Sequence, residues 1–183
     1  RYFKQEVAEI VSYLLSHLEI TTTPLGADVL PCIELYGCYT REEIFTLVGR
    51  QTEEKRMSGS VSGVFNLSEY DTTLLFVTLN KSDKDFSPST QYDDYVINKD
   101  YFHWQSKNTD AHYNKGGRIY IDQPIKHNKI VLFVREEKRD GFGNTCPFHC
   151  FGLVDYVSSH GDCPMNITWK LEEPVMPQYL KVV

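Results

Sequence analysis

Residues 100–108 read DYFHWQSKN. Three rings in succession, Phe102, His103 and Trp104, run directly into Gln105, Ser106, Lys107 and Asn108, all of which can form hydrogen bonds. In an extended strand successive side chains point to opposite faces, so Phe102, Trp104 and Ser106 share one face and His103, Gln105 and Lys107 the other. The stretch is either a strand buried in a core or the wall of a pocket that holds something flat. Only one of its faces can line a pocket.

Extended patterns continue on both sides of it. They cover 63–67, 72–80, 95–106, 118–121, 130–136, 148–158 and 166–171, separated by turns rich in Gly, Asp, Asn and Pro. TTLLFVTL, IVLFV and FHCFGLVDYV are apolar on both alternating faces and are expected as central strands, whereas NITWKLE alternates and should expose Thr168 and Lys170. Upstream the period changes. Phe3, Val7, Ile10, Val11, Leu14, Leu15 and Leu18 form one apolar stripe along a helix, which should pack on something. Pro24, Gly26 and Pro31 then break regularity into a connector. Thr40 and Glu43 form a capping box that opens a second helix, with Ile44, Leu47 and Val48 on its apolar side and Gly49 as its stop. Seven strands with little helix between them predict an α+β, mainly β fold, a small closed or nearly closed β-barrel with N-terminal helices. The expected division is an N-terminal helix and connector over 1–39 and a β-barrel-like domain over 40–183.

At 183 residues, 41% hydrophobic and 24% charged, the chain has the size and composition of one globular domain. A net charge of −6 argues against a protein that coats nucleic acid through its overall field, so any such binding has to be local. No apolar run reaches the roughly 18 residues of a membrane span, and no signal-peptide pattern occurs. The expectation is a cytoplasmic protein with no membrane partner. A start at Arg1 rather than Met predicts a piece of a larger polypeptide. Five cysteines should be reduced in that compartment. Cys146, Cys150, His160 and Cys163 are the types of ligand zinc takes, but no tight C-x2-C pair is present and Cys150 lies in an apolar strand pattern. Buried thiols, no metal and no cofactor are expected.

The segment from Asn80 to Asn108 differs from plain architecture, because aromatic faces and amide edges are brought close together. Rings that sandwich a base while amides and carboxylates match its edge are how a flipped base or other planar heterocycle is recognised. The base-pocket candidates are Asn80, Tyr92, Asp94, Tyr95, Phe102, Trp104, Gln105 and Ser106. Lys81, Lys107 and Arg135 are phosphate-contact candidates, and His160 and Pro164 belong to a loop able to close the barrel mouth. A run of rings without polar neighbours is ordinarily core. A second pattern, Glu136 and Lys138 with Asp122 or Asp110 upstream, matches the Mg2+-binding set of a nuclease, but a charged strand end commonly meets it by chance. No triphosphate loop, dinucleotide fingerprint, nucleophile elbow or zinc helix occurs, and no catalytic residue is expected.

In order and with similar gaps, YTREEIFTLVG, GVFNL, LFVTLNKS, FSPSTQYDDYVI, FHWQSKN, IVLFVREEK and FGLVDYVSSHGDCPMNITWKL resemble the uncharacterised C-terminal domain of bacterial superfamily-two (DEAD/DEAH-type) helicases, which often carry a phospholipase-D-like nuclease module. The resemblance covers about residues 30 to 180. It implies a domain of a restriction or phage-defence machine whose partners are DNA and the helicase core of the same polypeptide. A motor grips phosphates, which carry no sequence information, so a separate module has to supply the choice of target. By analogy of fold, barrels of the PUA or SRA type read modified bases in such systems. The expected function is therefore a non-catalytic DNA-binding specificity module that recognises a modified base through an aromatic pocket. The alternatives are a reader of sulfur-modified backbone near His160 and Pro164, a Mg2+-dependent nuclease, and a structural docking module.

Overall fold

The computed structural model of the chain describes residues 2–17, 23–26, 28–52, 63–81 and 93–180. Among these, the elements in chain order are α1 (Tyr2–His17), β1 (Cys38–Tyr39), α2 (Arg41–Leu47), β2 (Val64–Leu67), β3 (Thr72–Asn80), β4 (Tyr95–Asn98), β5 (Tyr101–Gln105), α3 (Lys115–Ile121), α4 (Gln123–Lys126), β6 (Lys129–Glu137), β7 (Phe148–His160) and β8 (Asn166–Leu171). The strands form one sheet in the order β2-β3-β6-β7-β8-β5-β4, with β1 added to β7. Among the described pairs only β3 and β6 run parallel; the others are antiparallel.

The expected barrel is not closed. The sheet has two ends, β2 and β4, with no ladder between them among the described residues. Closure requires every strand to have two neighbours, and here the long β7 does part of that work by bending. It carries two register shifts, at Leu132/Phe133 against β6 and at Tyr156/Ser158 against β8. Each inserts an extra residue that turns the strand. At the first, Gly152 takes φ +83, and a Cβ there would lie 2.8 Å from the Leu35 side chain. The left-handed backbone and the close approach both favour glycine.

One face of the sheet encloses a core in which Leu75 and Val77 of β3 meet Phe102 and Trp104 of β5 and Ile167 and Trp169 of β8. The other face of its first half is covered by the N-terminal segment, where Leu30, Ile33, Ile44 and Phe45 pack on Leu74 and Phe133. That double burial is why the middle of β3 and of β6 is apolar on both faces, as their sequences predict. In β8, Ile167, Trp169 and Leu171 are buried and Lys170 is exposed, while Thr168 is half-buried.

The α2 capping box is present: Thr40 Oγ1 accepts from Glu43 N, and Glu43 Oε2 accepts from Thr40 N at 2.7 Å. Of the α1 stripe, Phe3, Val7 and Ile10 are exposed, while the side chains of Val11, Leu14, Leu15 and Leu18 lie outside the described residues. The strand expected over 118–121 is part of helix α3. Four residues cannot set a period by themselves. Asn114 caps this helix by accepting from Gly117 N, and Asp122 pairs with both Arg118 and Lys126 one turn to either side. Gly117 is required in it, since a Cβ would collide with the Ala111 carbonyl and the Met165 sulfur. The single strand expected over 95–106 is a hairpin, turned at Lys99–Asp100, where Asn98 Oδ1 accepts from Asp100 N and Tyr101 N. RDGFGNT is a turn, as expected, tied by Asp140 to Phe142 N and Asn144 N. No described helix is long and apolar enough to cross a membrane.

Of the cysteines, Cys150 is buried, whereas Cys146 is half-buried and Cys163 exposed, so Cys163 is not the buried thiol expected. Cys150 and His160 stand ten positions apart on β7, the first buried and the second exposed. Burial pushes the Cys150 thiol up to about 12. A thiol-reactive reagent should therefore modify exposed Cys32 and Cys163 of the native protein while sparing Cys150 until denaturant is added. Native Cys150 reacting as fast as Cys32, measured by mass spectrometry, would contradict the covered face described above.

Candidate functional site

The predicted residues separate into two environments. Phe102 and Trp104 face the core, where Trp104 meets Tyr120 at a ring-centroid distance of 5.0 Å and Trp169 at 6.2 Å. Neither ring offers a face to the surface, a correction to their expected role as stackers in a base pocket, and the cause is that the core needs their volume. Ser106 is buried too, accepting from Met165 N at 3.0 Å and donating to Lys107 O at 3.2 Å, which ties the end of β5 to the loop before β8.

The opposite face of β5 carries the polar groups. Tyr95 on β4 is paired in register with His103 on β5, and their rings stack at 4.5 Å with an interplanar angle of 11°. Tyr95 remains 40% exposed on its outer side. His103 Nδ1 lies 2.8 Å from Asp93 O. A carbonyl only accepts, so Nδ1 carries the proton. Asp93 N donates to Gln105 Oε1 at 2.8 Å, and Gln105 Nε2 donates to Asn166 Oδ1 at 2.9 Å. Tyr95, His103, Gln105 and Asn166 thus form a strip of aromatic and amide groups across β4, β5 and β8. His160 continues it, exposed at the end of β7 opposite Asn166.

Behind the strip lies the Lys81–Asp94 ion pair, 2.6 Å apart with both side chains largely buried. Asp94 Oδ1 also accepts from Gln105 N at 2.8 Å. The pair fastens the end of β3 to the start of β4 and the end of β5, across the gap that no ladder closes. Burial raises the Asp94 carboxyl against the pull of the Lys81 ammonium. Lys81 is therefore engaged inside the protein and not displayed as a phosphate contact.

Arg135, the other expected phosphate contact, is also buried. It donates to Thr78 Oγ1 and Cys146 O and lies 4.2 Å over the Phe148 ring. Lys107 is exposed just beyond β5, and Asn80 is exposed at the end of β3 beside Glu137. Pro164 is half-buried in the loop before β8. Tyr92 lies outside the described residues. In the nuclease pattern, Asp122 sits between α3 and α4 with Arg118 and Lys126, Asp110 accepts from Tyr120 OH, and Glu136 is exposed near the far end of β6. No three His, Cys, Asp or Glu side chains among the described residues converge as metal ligands.

His103 and Asn166 are members of the strip that the sequence pattern did not nominate, nor did it nominate Asp93, whose backbone holds His103 and Gln105. Asn166 faces Gln105 only through the β5–β8 register, which no local pattern encodes.

Residues 33–182 match the model of a family described as a domain of unknown function, DUF3427, and the chain belongs to that family. No curated protein matches the sequence. Among solved structures, the chain is similar to the SRA domain of SUVH5 in complex with fully methylated CG DNA, with a TM-score of 0.50 and 12% identity over 81% of this chain and 97% of that one. The same domain with hemimethylated CG DNA gives 0.49 and 14% over the same shares. SUVH6 of Arabidopsis thaliana in complex with SAM gives 0.47 and 14%, over 96% of this chain and 32% of that one. The likeness to the first shows an SRA-like fold.

Replacing Lys81 by Met should cost about 3–5 kcal/mol in urea unfolding at pH 7, because Asp94 is left buried and unpaired. The sign of its pH dependence is fixed. A carboxyl raised in the folded state keeps its proton where the unfolded chain loses it, so the penalty should shrink at pH 4 and grow toward pH 7. An equal loss at both values would show that Asp94 is well solvated.

Proposed function

We propose that this DUF3427 domain is a DNA-binding specificity module that recognises a modified base, within a helicase-nuclease protein of restriction or phage defence acting in the cytoplasm. The observation that carries the reading is the half-exposed Tyr95 ring, stacked on His103, with the hydrogen-bonded amides of Gln105 and Asn166 on the same face of the sheet. An aromatic face can stack on any base, and amides beside it can match the donors and acceptors of one base edge. An SRA-like fold supports the same reading, since the similar SUVH5 domain was solved with methylated DNA. Exposed Lys107 and His160 flank the strip and would meet the phosphate backbone. The strongly negative net charge requires the contact to be local in this way.

On this reading the recognition of DNA by the strip involves no catalytic step, and the domain's DNA-handling partner is the helicase core that the family resemblance implies. Reading of a sulfur-modified backbone is the second possibility of the same class. It would engage His160 and Pro164 rather than the Tyr95 ring.

The test is a binding screen with duplex and single-stranded DNAs that carry different base and backbone modifications. Tyr95→Ala should weaken binding to the preferred DNA by roughly 1–3 kcal/mol while leaving the melting temperature nearly unchanged. Trp104→Ala should instead cost about 3–5 kcal/mol of stability with every ligand, as a core truncation does. Undiminished affinity in a folded Tyr95→Ala protein would remove the strip from the site.

A further inference from the structure

On the inward side of the end of β7, four side chains form one continuous hydrogen-bond chain. Asp162 Oδ1 lies 2.9 Å from His112 Nδ1, His112 Nε2 lies 2.8 Å from Ser159 Oγ, and Ser159 Oγ lies 2.7 Å from the Tyr156 hydroxyl. Asp162 Oδ1 also accepts from His112 N at 2.7 Å, which anchors the carboxylate against the loop that carries the imidazole. The same two bonds hold the Asp162 carboxyl below its ordinary value, so it is ionised at neutral pH.

These partners fix the order of the protons. An ionised carboxylate only accepts, so His112 carries its proton on Nδ1 and presents the Nε2 lone pair to Ser159. Ser159 donates its proton to Nε2, and its oxygen then accepts from Tyr156. A nucleophile, a base and a group that orients the base are thus within hydrogen-bond reach in the required sequence. The Tyr156 hydroxyl, beside Ser159 Oγ, is a donor placed near where charge would develop on the oxygen of a carbonyl carbon bonded to Oγ. His112 and Asp162 are partly exposed and Ser159 is half-buried, so the group is accessible from solvent.

We propose that Ser159, His112, Asp162 and Tyr156 form a second site with hydrolytic chemistry toward a small carboxylic ester. Ser159 Oγ bonds to the ester carbonyl carbon as its proton passes to His112 Nε2, and Tyr156 donates to the resulting oxyanion. Collapse breaks the bond to the alcohol, which leaves with the proton held by His112. Water then repeats the sequence on the acyl-serine, releasing the acid and restoring Ser159. This site is separate from the base-reading strip. Ser159 pairs with inward-facing Ile167, whereas His160 pairs with Asn166 on the outer face. Either site can therefore fail without the other.

The test treats the full chain with a fluorophosphonate probe, whose fluoride is displaced by an activated serine, and maps the modified peptide by mass spectrometry. Turnover of p-nitrophenyl acetate is followed in parallel. Labelling should fall on Ser159, and Ser159→Ala should abolish both labelling there and turnover. Asp162→Asn, which leaves the shape but not the enforced tautomer, should slow labelling by at least about 100-fold. His112→Gln gives the same reading if Asp162→Asn does not fold. An unlabelled Ser159 in the wild-type chain, or labelling at an unchanged rate in the folded Asp162→Asn or His112→Gln protein, overturns the proposal and leaves the four groups as a clasp between β7 and two loops.

Discussion

Strand β7 has to belong to two half-sheets at once. Its first residues pair with β6 and β1, and its last ones with β8. A straight strand of 13 residues cannot serve both without flattening the sheet and opening the core. The two bulges resolve that conflict, because each adds twist and re-aims the residues beyond it. The first lets β6 keep both faces buried. The second sets Ser159 inward and Ser158 and His160 outward, which separates the two groups of polar side chains at the strand's end.

Where the bent sheet still fails to close, side chains take over from ladder hydrogen bonds. Lys81 and Asp94 meet across the opening, and Asp94 holds the backbone of Gln105 as well. A buried ion pair of this kind is weak as a source of net stability, yet either partner alone is costly to bury. It therefore acts as a positional constraint. The amide strip is supported from beneath by groups that cannot readily move apart.

Much of this architecture was legible in the sequence, and the reasons differ by element. The spans of β3 and β8 and the capping box of α2 follow from local patterns: burial on both faces, burial on alternate faces, and a Thr-x-x-Glu cap. Helix α3 was not legible, because its apolar residues are too few to show a period and its Asp122 pairs are side-chain contacts one turn away. The candidate site was legible in kind but not in placement. Alternation correctly split Trp104 from Gln105, but it cannot say which face is covered. That is decided by Tyr120 and Trp169, which reach Trp104 from distant parts of the chain. The Ser159 chain was invisible for the same reason, since His112 and Ser159 are 47 positions apart.

The parallel pairing of β3 with β6 sets the tempo of folding. Arg135 and Thr78, opposite one another in that pair, are separated by 57 positions, and β4, β5, α3 and α4 all lie in the intervening chain. Closing so long a loop forfeits entropy before any contact across it compensates. The β4–β5 hairpin and the β6–β7 pair involve much shorter separations and can form first as local units. Until β3 reaches β6, its apolar faces and those of β6 stay in water together, so the interval before that pairing is when the nascent chain is most exposed to self-association.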